Sequence, residues 1–202
     1  QLIQGSDHLC VCTPHTLEIP DIKNRENISF IHSPADFNRL TGFQKRKHKE
    51  FSIGYIGTID FSKLPQCFIS LCDKITIPNA HFIVCGNGRS LGDVKSTASR
   101  SRNSYEFPGY VENICDYLER MDVYGYPLNK NTFAAAEQNL QEAMWAGLPI
   151  VTNPYGGVRH LIEHNKTGLL VESYQDYINA IEFLYKHPEE RERLGKNAEV
   201  HA

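Results

Sequence analysis

No apolar run in this chain of 202 residues approaches the roughly 18 that a membrane-spanning helix requires. An excess of one charge is missing too: 21 Lys+Arg stand against 24 Asp+Glu, for a formal net charge of −3. Binding to nucleic acid through bulk charge needs a concentrated basic excess, so no nucleic-acid partner of that kind is expected, and only a small local basic site stays open. The opening residues lack the charged and apolar regions of a signal peptide. There is no C-x-x-C pair, and the six cysteines sit mostly among apolar residues, as in QCFISLC and FIVCG. They read as small buried hydrophobes in a reducing compartment, which leads us to expect a cytoplasmic protein. A metal site built from Cys10, Cys12 and His15 is disfavoured, because the spacing lacks a second ligand pair and LCVCT alternates like a strand. The chain opens on Gln1 and is expected to be a piece of a longer protein.

What is present is an ordinary globular composition, 41% hydrophobic and 22% charged, at a size that needs no disulfide staples. From Phe51 onward, short apolar runs alternate with segments of helical period. FSIGYIG (51–57), HFIVCG (81–86), SYEFPGY (104–110), VYGYPL (123–128), LPIVTN (148–153) and TGLLVE (167–172) read as strands. Helices are expected after Pro65, through Ile114, Leu118 and Met121, and from Glu137 to Ala146 with a stop at Gly147. Others are expected in VRHLIEHN and over the two final segments YQDYINAIEFLYKH and PEERERLGKNAEVH. The alternation predicts a doubly wound α/β domain over 50–202, with a parallel sheet and its ligand at the carboxyl ends of the strands. In 1–49, HLCVCTP and ISFIHSP read as two strands joined by a polar turn. TGFQKRKHKE reads as a basic, solvated linker.

Within that frame, Gly86, Gly88 and Gly92 form a G-x-G-x-x-x-G pattern after a strand, with Glu106 about twenty residues on, a weak relative of a dinucleotide fingerprint. The segment that follows is Ser-, Lys- and Arg-rich with little apolar face, which argues for a simple turn. Lys63 follows the first strand of the domain, where a compact point charge meets a diphosphate. Glu142 is an acid beside Ala143, Met144 and Ala146, so it is either exposed or held by partners such as a ribose or sugar diol. Glu137 would sit about 140° away on a continuous helix. The two share a ligand only if Glu137 lies in the loop or first turn.

EAMWAGLPIVTNPYGGVRHLIEHNKTGLLVE is similar to the donor-binding segment of the glycosyl transferases group 1 family, retaining enzymes of GT-B fold. FSIGYIGTIDFSK resembles the family's first strand and phosphate loop, PNAHFIVCGNG its next strand and turn, and FPGYVENICDYLERMDVYGYPL the units after that. CVCTPHTLEIP and ISFIHSPADFNRL resemble the end of the N-terminal domain and the crossing into the second, so 1–49 is expected to be that end and its linker. The resemblance implies the C-terminal half of a GT-B fold and a nucleotide-sugar donor, UDP- or GDP-linked, with no further cofactor. It implies donor binding by Gly57, Thr58, Lys63, Val111, Glu137, Gln138, Asn139 and Glu142. Lys63 would neutralise the leaving diphosphate, Glu142 would hold the ribose, Glu137 would face the sugar, and Val111 would meet the base. The acceptor, a sugar or lipid-linked hydroxyl, would be bound by an N-terminal domain, with peripheral membrane contact of the whole enzyme. The absence of any D-x-D pair agrees with a metal-independent transferase. Two departures stand out: Ala134 occupies the family's usual acid position eight residues before Glu142, and Thr58 replaces a common Arg. The alternative is a non-catalytic nucleotide-binding or assembly module.

Overall fold

A computed structural model describes residues 5–31, 33–132 and 134–202. His32, in the second expected strand, and Phe133, in the loop after Leu128, lie outside the described residues. The strands are β1 (Leu9–Val11), β2 (Ile28–Phe30), β3 (Ser52–Ile56), β4 (His81–Cys85), β5 (Ser104–Gly109), β6 (Val123–Tyr126), β7 (Ile150–Thr152) and β8 (Gly168–Leu170). The α-helices are α1 (Pro20–Lys23), α2 (Phe68–Cys72), α3 (Leu91–Ala98), α4 (Cys115–Leu118), α5 (Gln138–Trp145), α6 (Tyr174–Lys186) and α7 (Pro188–His201). Strands β3 to β8 form one parallel sheet in the order β5-β4-β3-β6-β7-β8. The order reverses between β3 and β6, as a doubly wound sheet does at its ligand crevice.

The short apolar runs were legible because a parallel sheet covered on both faces needs apolar residues throughout its strands. Every residue of β3 is buried, and β6 and β7 are buried along their full lengths. Helix α5 stops at Gly147, whose φ of +67° suits a residue without a Cβ. Helix α6 opens with a capping box: the Asp176 amide donates to Ser173 Oγ at 3.1 Å and the Ser173 amide donates to Asp176 Oδ2 at 3.2 Å. Pro188 then starts α7 in its first turn, where a missing N–H costs nothing. Among the described residues, no helix is long and apolar enough to cross a membrane.

Four expectations about secondary structure change. β1 and β2 pair in parallel, with Leu9 opposite Ile28. Parallel neighbours cannot be joined by a tight turn, and a 3-10 helix (Pro14–Glu18) and α1 make the crossover. The helix after Pro65 starts only at Phe68, and Pro65 instead caps the preceding turn by accepting from the Phe68 amide at 3.0 Å. The polar stretch after Gly88 is helix α3, missed because Val94 is its only buried residue. VRHLIEHN contributes only the end of a 3-10 helix, Gly156–His160. The cysteines divide: Cys72, Cys85 and Cys115 are buried, while Cys10, Cys12 and Cys67 are exposed. The linker is mostly exposed but is pinned by Arg46, which pairs with buried Glu119 and donates its amide to the Glu119 carbonyl at 3.0 Å.

Candidate functional site

At the reversal between β3 and β6 lies a cleft of about 950 Å³. Its walls are the loops after β3, β4 and β5 and the start of α5. Ser33–Asp36 and Arg39 of the leading segment form the remaining side. All eight residues singled out in the sequence, Gly57, Thr58, Lys63, Val111, Glu137, Gln138, Asn139 and Glu142, line this one cleft. They come from segments as far apart as 57 and 142 because parallel crossovers return every strand end to the same edge.

The glycine pattern has a packing cause. A Cβ on Gly86 or Gly88 would overlap the backbone carbonyl of Gly57 or Ile59 respectively, so these glycines let the loops after β3 and β4 meet. Glu106 does not reach the cleft. It binds Arg120 through two bonds of 2.9 and 3.0 Å and faces His81 at 3.4 Å, and the Arg120 guanidinium holds its carboxyl below the usual range. Glu106 therefore cannot serve as the ribose-binding acid of a dinucleotide pattern.

Glu137 immediately precedes α5 with φ +47° and ψ +53°, a left-handed conformation uncommon for a residue with a side chain. The 140° separation of a continuous helix thus does not apply, and Glu137 and Glu142 share the cleft. Its carboxylate, 3% exposed, receives Lys63 Nζ at 3.0 and 3.2 Å and the hydroxyl of Tyr126. Burial, with the neighbouring Tyr55 and Glu137, raises the Tyr126 phenol well above its ordinary value, so it remains a donor. Lys63 also lies 5.4 Å above the Tyr126 ring. Among the described residues, the amides of Gln138 and Asn139 have no backbone acceptor, as expected of a helix N-terminus facing a cleft.

Below this layer the strand tyrosines carry the loops. Tyr55 stacks on Tyr126 at 5.3 Å and donates to the Thr58 carbonyl at 2.8 Å. Tyr124 donates to the Ile56 carbonyl at 2.7 Å and accepts from Asn139 Nδ2 at 3.0 Å. Sequence reasoning took VYGYPL only as a strand. The missed signal was a pair of tyrosines two apart in a buried run, whose hydroxyls demand partners at the strand's end.

Glu142 is buried, its side chain 5% exposed, and its Oε1 accepts from Arg39 Nη1 at 2.8 Å. Arg39 Nη2 reaches the Glu112 carbonyl at 3.4 Å, beside Val111. No sequence signal pointed to Arg39, which lies 103 positions away from its partner. Burial raises the Glu142 carboxyl above its usual range, and Arg39 opposes that rise. A raised folded pKa subtracts stability as pH climbs from the unfolded carboxyl's range through the folded value. Glu142→Gln is therefore expected to melt above the unsubstituted chain near pH 7 and to lose that advantage near pH 4. A difference in melting temperature that is the same at both pH values would sink this account.

Residues 37–201 match the family model described as Glycosyl transferases group 1. The chain belongs to that family. It is 36% identical over 227 aligned positions to a D-inositol 3-phosphate glycosyltransferase of an Arthrobacter species, covering 100% of this chain and 53% of that protein. The six-stranded parallel sheet and its helices match GT-B glycosyltransferase structures. Sucrose-phosphate synthase of Thermosynechococcus elongatus superposes with a TM-score of 0.83 at 18% identity, over 99% of this chain and 54% of that one. HepE of Anabaena, solved in complex with UDP-glucose, superposes with a TM-score of 0.80 at 18% identity, over 96% of this chain and 58% of that one. This group 1 chain thus spans about half or less of the length of the curated relatives it matches.

Proposed function

We propose that the chain is the donor-binding half of a retaining glycosyltransferase that uses a nucleoside-diphosphate sugar, UDP- or GDP-linked. The observation that carries this is the convergence of Lys63, Glu137, Glu142 and the amino end of α5 in one cleft at the sheet's reversal. Each group suits one part of such a donor. Glu142 accepts the two ribose hydroxyls, the amides of Gln138 and Asn139 and the Lys63 ammonium meet the diphosphate, and Glu137 faces the sugar. As the bond from the anomeric carbon to the diphosphate breaks, fixed positive charge at Lys63 stabilises the developing anion. Val111, Gly57 and Thr58 line the same cleft, and in this reading Val111 meets the base while Gly57 and Thr58 belong to the phosphate loop.

Residues 1–49 are read as the end of a preceding domain and its linker. Two parallel strands are too few to stand alone, and this pair leaves Phe30, Ile31, Leu17 and Ile19 exposed beside it. An acceptor hydroxyl, on a sugar or a lipid-linked sugar in polysaccharide or glycolipid synthesis, would then be held by that preceding domain. The chain alone is expected to bind donor and to transfer poorly.

The test is calorimetric titration with UDP, GDP, ADP and NADPH, repeated on Glu142→Ala. Binding of one nucleoside diphosphate is expected to weaken about tenfold or more on substitution, the loss of a charge-assisted contact of ~1.5–3 kcal/mol. An unchanged affinity would move the nucleotide away from Glu142. It would favour a non-catalytic module, a reading that the two ion pairs already closed in the cleft also suit.

A further inference from the structure

The cleft has more negative than positive side chains. Its lining holds the cations Arg39 and Lys63 against the acids Asp36, Glu137 and Glu142. Both cations are engaged with acids of the protein itself, Lys63 with Glu137 and Arg39 with Glu142. A nucleoside diphosphate would add further negative charge to a part-desolvated site, where unpaired charge is costly. Something must therefore change partners when it binds.

The two pairs differ in what holds them. Lys63, 20% exposed, lies over the Tyr126 ring and bonds both carboxylate oxygens of Glu137, which Tyr126 also anchors. Arg39 holds one oxygen of Glu142 through one nitrogen, with a 3.4 Å contact from another to a backbone carbonyl, and its side chain is 37% exposed. It projects from a single-turn 3-10 helix, Phe37–Leu40, in the segment that walls the cleft. Arg39 is the cation that can leave.

We propose that Arg39 is a donor-binding residue that works by exchange, an inference that rests on the nucleotide site proposed above. In the empty cleft it neutralises Glu142. When a nucleotide enters, the ribose hydroxyls replace the guanidinium as donors to Glu142, and the released guanidinium pairs with the diphosphate alongside Lys63. Neutral donors thus replace the charged one at the buried carboxylate, and the guanidinium moves to the incoming anion, for which its fork of N–H groups is well shaped.

The experiment is titration of the chain and of Arg39→Met with UDP, GDP and ADP and then, for whichever binds, with its uncharged nucleoside. Arg39→Met is expected to weaken the diphosphate about tenfold or more, the order of a charge-assisted bond to phosphate, while the nucleoside binds at least as well as before. Arg39→Lys should recover only part of the loss, since an ammonium lacks the bidentate fork. An unchanged or tighter diphosphate affinity in Arg39→Met would overturn the proposal, because Arg39 would then be a bystander or only a competitor for Glu142. Equal weakening of nucleoside and diphosphate would overturn it as well, showing that Arg39 merely holds Glu142 in shape. If the unsubstituted chain binds none of the three diphosphates, the donor site itself fails and the exchange fails with it.

Discussion

Lys63→Met is expected to lower the stability of the fold by about 3–5 kcal/mol and to remove measurable binding of a nucleoside diphosphate. The first effect follows from Glu137. Its carboxylate is 3% exposed, and Lys63 is its only cationic partner among the described residues. Removing one member of a buried pair leaves the other charge uncompensated, which costs more than the pair itself contributes. In a domain of this size the loss corresponds to a melting temperature lower by roughly 10 °C. The second effect follows from the position of Lys63 at the carboxyl end of β3, on the wall assigned to the diphosphate. The double substitution Lys63→Met/Glu137→Gln separates the two. It removes the stranded charge and is expected to recover most of the melting temperature, but not the binding. Recovery of binding in the double variant would show that Lys63 acts only through Glu137.

Gly86→Ala is the second substitution with a large expected effect, about 3 kcal/mol or more. Gly86 has φ +135°, which a side chain rarely adopts, and its Cβ would overlap the Gly57 carbonyl. Three loops of the cleft meet at this point: the Gly86 amide donates to the Gly109 carbonyl at 2.7 Å, and the Gly57 amide to the Cys85 carbonyl at 3.0 Å. The loop after β3 must shift, carrying Thr58 with it, so nucleotide affinity is expected to fall along with stability. Gly92→Ala is the control. A Cβ there meets nothing within 4 Å and the residue lies in helix α3, so that variant should gain about 0.5–1 kcal/mol. Urea denaturation of the two variants checks the pair. Equal midpoints would mean that loop contact at Gly86 does not limit the fold.

Much of the fold was legible in the sequence because the dominant force writes a regular pattern. Dry parallel strands appear as apolar runs, and the last two helices appear as segments of helical period, which the structure places at Tyr174–Lys186 and Pro188–His201. Helix α3 was not legible because a helix with one buried side chain carries no period to read. The parallel pairing of β1 and β2 was missed because strand signals do not report direction.

For the site, the sequence by itself determined that acids and a lysine stand at strand ends and that Glu142 is an acid in apolar company. Only the tertiary structure decided which charges meet. Lys63 and Glu137 are 74 positions apart and Arg39 and Glu142 are 103 apart. Hydrophobic periodicity specifies which face of an element is dry, not which polar tips converge beyond its end. That convergence depends on the order in which the crossovers return each strand to the sheet, and on a few backbone angles such as that of Glu137. These turn Glu137 and Glu142 toward the cleft's own two cations.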